Sequence, residues 1–190
     1  FLTKDRMSWG DPDVRAEDQS HVEKWTEKAK SIGFYDYIYG EAYMVPRVYN
    51  HLMDDILKYG ADNSTVAFFG ELVPNWGEGP KPWLISQLLW DPSQDVDQLL
   101  NEWYVRAVGS EAAPFLKKYY DHWEDFWENR VQETDWFQSR KRIVYFNFNS
   151  ASYLNIVTDE EIAQSRTWLE TAVAKAGTEK QQERAELLLR

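Results

Sequence analysis

The run Thr65-Val66-Ala67-Phe68-Phe69-Gly70 constrains this chain more than any other stretch. It carries no charge, is rich in β-branched and aromatic side chains, and ends against Glu71. Such a run predicts a strand buried on both faces, which is the habit of parallel sheets sandwiched by helices. A second aromatic run, Ile32 to Tyr39, predicts another strand. Between the two, Pro46 suits the first turn of a helix, Val48, Leu52, Ile56 and Leu57 recur on one face, and Gly60 ends it. A shorter helix is predicted from Ser20 to Ser31, with Ser20 and Glu23 as a capping box after the turn Trp9-Gly10-Asp11-Pro12.

The order helix, strand, helix, strand points to βαβ units and a parallel sheet. Two such units are too few to close a domain, because a parallel sheet needs several strands and cover on both faces. The expectation is therefore the C-terminal βα units of a TIM-like (β/α)8 barrel, or else a chain that pairs with itself. The barrel reading also accommodates a first residue, Phe1, that is not methionine. Residues 1–92 form the partial barrel segment in this reading, and residues 93–190 a helical C-terminal region.

Helices are predicted over Pro82–Trp90, from a Ser93 cap to about Ala107, and from a Ser110 cap to about Val131. Thr158 with Glu161 forms a capping box for a helix to about Ala176, and Thr178–Arg190 follows as the last. The stretch Ile143-Val144-Tyr145-Phe146-Asn147-Phe148 reads as helix rather than strand.

Charge and composition narrow the function. Lys+Arg 21 against Asp+Glu 32 leaves a net charge of −11, which argues against nucleic acid as a partner. No long apolar run exists to insert into a membrane. The chain has no cysteine, which removes a thiolate nucleophile, a Cys-based zinc site and a disulfide framework. That absence fits a secreted, periplasmic or cell-surface bacterial protein. His21, His51 and His122 form no metal-binding spacing, so no metal or other cofactor is expected.

In an α/β barrel, chemistry sits at the C-terminal ends of strands and in the loops that follow. Two clusters fall there: Asp36, Tyr37, Tyr39 and Glu41, and then Glu71, Asn75, Trp76 and Glu78. Carboxylates among aromatics suit carbohydrate, because rings stack on aromatic faces while carboxylates bind hydroxyls. Glycoside hydrolysis uses two carboxyl groups, roughly 5–5.5 Å apart for retention and ~6.5–9.5 Å for inversion. Glu71 and Asp36 are the candidate catalytic carboxylates, with Tyr37, Tyr39, Glu41, Asn75 and Trp76 as candidate sugar contacts. Strand alternation sets Asp36 and Ile38 on one face and Tyr35, Tyr37 and Tyr39 on the other, so only one set faces a barrel mouth. The ten tryptophans are read mainly as core. Trp90, Trp103, Trp123, Trp127 and Trp168 all lie on predicted helices, and Asp54-Asp55 and Glu124-Asp125 read as solvated helix faces.

The stretch from Phe34 to Val131 resembles the bacterial domain of unknown function family DUF4838. The residues that carry the resemblance are Tyr35-Asp36-Tyr37 with Pro46, Val66 to Glu71, Leu88-Leu89-Trp90-Asp91-Pro92 and Asp95-Val96-Asp97. Val108-Gly109-Ser110-Glu111-Ala112-Ala113 is similar to the family's Tyr-Gly-x-Ala-Ala signature, with Val108 where tyrosine is usual, and Thr158 to Leu169 is similar to the helical region that follows. The resemblance implies a glycoside-hydrolase-like barrel, of which this chain supplies the last strands and a helical extension. The strand ending at Glu71 also resembles the last barrel strand of hexosaminidase-type glycosidases. By that analogy Glu71 binds sugar hydroxyls, and the catalytic acid stands on an earlier strand. The expected function is a fragment of a glycoside hydrolase acting on an oligo- or polysaccharide, in contact with the other barrel half or with a self-association partner. The alternatives are a non-catalytic carbohydrate-binding module and a structural or interaction domain whose aromatics are all core.

Overall fold

In the computed structural model, residues 1–73 and 75–189 are described, Trp76 in its backbone alone. The chain is a helix-rich α/β protein built around one short parallel sheet. Strands β1 (Leu2–Lys4), β2 (Ile32–Tyr37) and β3 (Thr65–Glu71) lie side by side in that order, all parallel. Leu2 pairs with Phe34 and Lys4 with Asp36, while Tyr35 pairs with Phe69 and Tyr37 with Glu71. Parallel neighbours need crossover helices, and α1 (Pro12–Thr26) and α2 (Asn50–Asp62) provide them.

The start of α1 lies eight residues before the predicted Ser20. Asp11 caps it, accepting from the amides of Asp13 and Val14, and Pro12 takes the first position, where its missing N–H costs nothing. The short strand β1 escaped the sequence reading because its three residues carry no apolar run. The helix expected from Pro46 begins at Asn50 and passes through Gly60 to Asp62. β3 corrects the expectation of a strand buried on both faces. It is an edge strand, with Val66 70% and Phe69 51% exposed.

The rest is helical: α3 (Lys81–Trp90), α4 (Val96–Val108), α5 (Ala113–Asp125), α6 (Asp135–Gln138), α7 (Asp159–Lys175) and α8 (Glu179–Leu189). Asp95, not Ser93, caps α4 by accepting from the Gln98 amide. Ser110 does not cap α5, which starts at Ala113 and runs on through a π-helical turn, Phe126–Arg130. The capping box of Thr158 and Glu161 is present as predicted. Ile143 to Phe148 is irregular rather than helical, and Phe146 is buried within it. Among the described residues no helix is long and apolar enough to cross a membrane.

One hydrophobic cluster runs from Met7 through Ala185 and takes residues from both halves of the chain. Tyr43, in the segment between β2 and α2, packs against Trp127 at 5.3 Å, Tyr153 at 5.7 Å and Trp136 at 6.4 Å between ring centres. Trp123 and Trp127 are core residues as expected, but Trp90 is 90% exposed at the end of α3. Glu124 and Asp54 are buried rather than solvated.

Candidate functional site

The sheet has two unlike faces. Phe34 and Asp36 are both buried in the helical layer, Phe34 as part of the hydrophobic core. The other side presents Tyr35, Tyr37, Phe69 and Glu71, which alternation along β2 and β3 brings together. Tyr35 stacks on Phe69 at 4.7 Å and meets Tyr37 edge-on at 5.2 Å. Tyr37 in turn lies 5.3 Å from Tyr145 and 6.2 Å from Tyr39. The Tyr35 hydroxyl donates to Glu71 Oε2 at 2.5 Å. That bond to an anionic acceptor pushes the Tyr35 hydroxyl up to about 12. Burial raises Tyr39 to about 12 as well, against the pull of Arg47.

The two candidate catalytic carboxylates are not brought together. Register pairs Asp36 with Gly70 and Tyr37 with Glu71, so Asp36 and Glu71 lie on opposite faces. Asp36 is fully buried. It accepts from the Arg6 backbone at 3.0 Å and from the Arg6 guanidinium at 3.4 Å. Burial lifts its carboxyl to about 7, opposed by Arg6 and assisted by Asp5. Of the alternatives set out by strand alternation, Tyr35 and Tyr37 lie on the open face, while Tyr39, past the end of β2, is buried.

Tyr37 is half-buried, Tyr39 buried and Glu41 exposed in the loop after β2. Asn75 is exposed, and its side chain accepts from the Gly77 amide at 3.0 Å, capping the short turn Trp76–Glu78. The proposed stacking role of Trp76 concerns a side chain outside the described residues. Glu78 does not reach solvent. It is buried against Lys81 at 2.7 Å and takes the Gly40 amide.

Sequence reasoning missed the polar network beneath the strand ends. Asp5 follows β1 and is fully paired with Arg47, at 2.6 and 2.7 Å. Arg47 also donates to the carbonyls of Tyr37 at 2.8 Å and Tyr39 at 2.9 Å. Lys81 donates to the Arg47 carbonyl at 2.5 Å, and burial lowers its amine to about 8 despite Glu78. The available signal was Arg47 itself, a cation set among Pro46, Val48 and Tyr49. This network fixes the chain at the C-terminal ends of β1 and β2, from which Tyr37 and Tyr39 project. Among the described residues no group of three or more His, Asp or Glu is arranged to hold a metal ion.

These features define a helix-rich α/β protein whose parallel sheet exposes one aromatic face with a carboxylate at the end of its edge strand. The chain belongs to the family described as a domain of unknown function, DUF4838, whose model matches residues 8–121. No curated protein and no solved structure matches it.

Proposed function

We propose that this chain is the C-terminal βα portion of a glycoside-hydrolase-like (β/α)8 barrel and that its open sheet face receives carbohydrate. The observation that carries the reading is Glu71, set at the C-terminal end of β3 and held by Tyr35 among Tyr37, Tyr39 and Tyr145. In this reading Tyr35 and Phe69 pack inside the barrel, Tyr37 and Glu71 stand at its mouth, and the buried Tyr39 backs Tyr37. Tyrosine rings offer stacking faces for pyranose rings, and Glu71 accepts from their hydroxyls. Asp36 acts from behind the strand, ordering its end through Arg6, rather than touching sugar. Glu41 and Asn75, both exposed in loops at the same end, extend the contact surface. The strand arrangement supports the barrel: three parallel strands in sequential order, with free edges and one face not covered by helices, match an arc of such a barrel.

The test is calorimetric titration of the chain with neutral oligosaccharides built from glucose, xylose and N-acetylglucosamine, repeated with Glu71→Gln and Tyr37→Ala. Binding that weakens at least about tenfold in both variants supports the reading, since each removes more than ~1.4 kcal/mol of contact. Binding that both variants leave unchanged rejects this face as the site, and binding to none of the panel rejects carbohydrate as the ligand of this chain.

A further inference from the structure

We propose that Glu124 and Glu128 form a proton-sharing latch on the N-terminus of α2, and that loss of the shared proton loosens the joint between the β2–α2 segment and the helical region. The helix α2 has no side-chain cap of its own. Its first free amides are taken instead by two carboxyl groups from another part of the chain. Glu124 accepts from the His51 amide at 2.8 Å, and Glu128 accepts from the Leu52 amide at 2.9 Å. Anionic acceptors at a helix N-terminus are favoured both by the free N–H groups and by the helix dipole.

Glu124 lies in the last turn of α5 and Glu128 in the π-helical turn that follows. His51 and Leu52 are consecutive, so the two carboxyl groups that take their amides stand side by side at one helix end. Two carboxylates crowded onto one helix end repel, and a proton kept on one of them relieves the repulsion, so the pair holds a single negative charge when the latch is closed. Burial and Glu124 raise Glu128 to about 8, while the partner Glu124 is held low, chiefly by His51 against its own burial. His51 is raised to about 9 by its bond to Glu124 at 3.0 Å and by Asp97 at 3.4 Å.

The elements packed against the pair carry other charged groups, most of them engaged elsewhere. From α4, Asp97 faces His51, and the Tyr104 hydroxyl is buried nearby. In α2, Asp54 is paired with Lys58 and Asp55 with Arg15. In the Arg6–Gly10 turn, the Arg6 guanidinium is engaged with Asp36 and Asp18. His51 is the one cation among these groups that bonds directly to the pair. When the second carboxyl ionises, two adjacent anions compete for the same helix end and repel.

The sign follows from the directions. Glu128 binds its proton more tightly folded than unfolded, so stability falls as pH rises from its ordinary 4.5 towards about 8. His51 adds to the fall from 6.5 towards about 9. The test is a carbon-13 NMR titration of the glutamate side-chain carboxyls in the intact chain, with amide exchange of His51 and Leu52 measured at pH 7 and pH 9. The expected results are a Glu128 midpoint far above that of a free glutamate and about tenfold less protection of both amides at the higher pH. Glu128→Gln, which offers Glu124 an N–H without a titrating proton, should lose less of that protection than the wild-type chain, keeping only the share of the loss that His51 contributes. An ordinary Glu128 midpoint in the wild-type chain, or the same loss of protection in Glu128→Gln, overturns the proposal.

Discussion

Tyr35 and Glu71, one strand apart on the open face of the sheet, are joined by a 2.5 Å hydrogen bond from the phenol to the carboxylate. The bond orients the carboxylate at the end of β3 through one of its two oxygens. It also sets the Tyr35 hydroxyl at about 12, above the usual 10.0. Glu71→Gln removes the charge behind that shift, so the Tyr35 midpoint should fall towards the ordinary phenol value. Carbon-13 NMR of the Tyr35 Cζ across the alkaline range reads this directly. A midpoint that does not move in Glu71→Gln means that the pair does not form in solution.

Arg47 and Asp5 are both fully buried and bonded through two contacts. A pair of this kind is costly to break from one side, because the remaining charge is left in a low-dielectric interior. Arg47→Met should therefore destabilise the chain by roughly 3–5 kcal/mol. It also strips the carbonyls of Tyr37 and Tyr39 of their donor. Adding Asp5→Asn should recover part of the loss, since the stranded charge is gone. Urea unfolding of the two single variants and the double variant measures the coupling. Strict additivity would mean that the two side chains act independently.

Asp36 gives a pH dependence of defined sign. Its folded value of about 7 lies above its ordinary 3.8, because burial outweighs the nearby Arg6. The folded state then holds a proton that the unfolded chain releases, so stability declines as pH rises from about 4 to about 7. Asp36→Asn should make the fall of the thermal midpoint across this window shallower, leaving the part that Glu128 contributes from 4.5 towards about 8 and His51 from 6.5 towards about 9. Scanning calorimetry at several pH values separates the two. An unchanged profile in Asp36→Asn assigns the decline to other groups.

The parts of this fold legible in the sequence are those where local rules and tertiary packing agree. The Thr158–Glu161 capping box sits next to a charged, regular helix, and it forms as predicted. β2 and β3 were legible because Ile32 to Tyr37 and Thr65 to Gly70 are strongly β-prone. The burial of β3 was not, because an apolar run reports what a strand is suited to pack against and not whether that neighbour lies in the same chain. Val66 and Phe69 are apolar and yet exposed. The open face was partly legible: alternation grouped Tyr35 with Tyr37 correctly, but Tyr39 lies past the strand end and is buried, and which face looks outward depends on where the helices settle. Least legible were Glu124 and Glu128. A Glu-Asp pair on a helix resembles a solvated face, and only the fold reveals that the amides of His51 and Leu52 arrive there from 73 and 76 residues away.

Gly79 offers a test of the connection into α3. Its backbone lies at φ +59°, ψ −137°, a conformation that side-chain-bearing residues rarely adopt. A Cβ added there would also run into the ring of Tyr120. The neighbouring residues are Glu78, which binds Lys81 and the Gly40 amide, and Pro80, which precedes α3. Gly79→Ala thus combines backbone strain of about 1–3 kcal/mol with a clash against a buried aromatic. A further Tyr120→Leu change should relieve the clash and leave the strain. Chemical denaturation of both variants should show the double variant regaining some stability, beyond the cost of Tyr120→Leu alone, without reaching that of the Tyr120→Leu single variant. Full recovery would mean that residue 79 adopts an ordinary conformation, and no loss in Gly79→Ala would mean that this turn is not held as described.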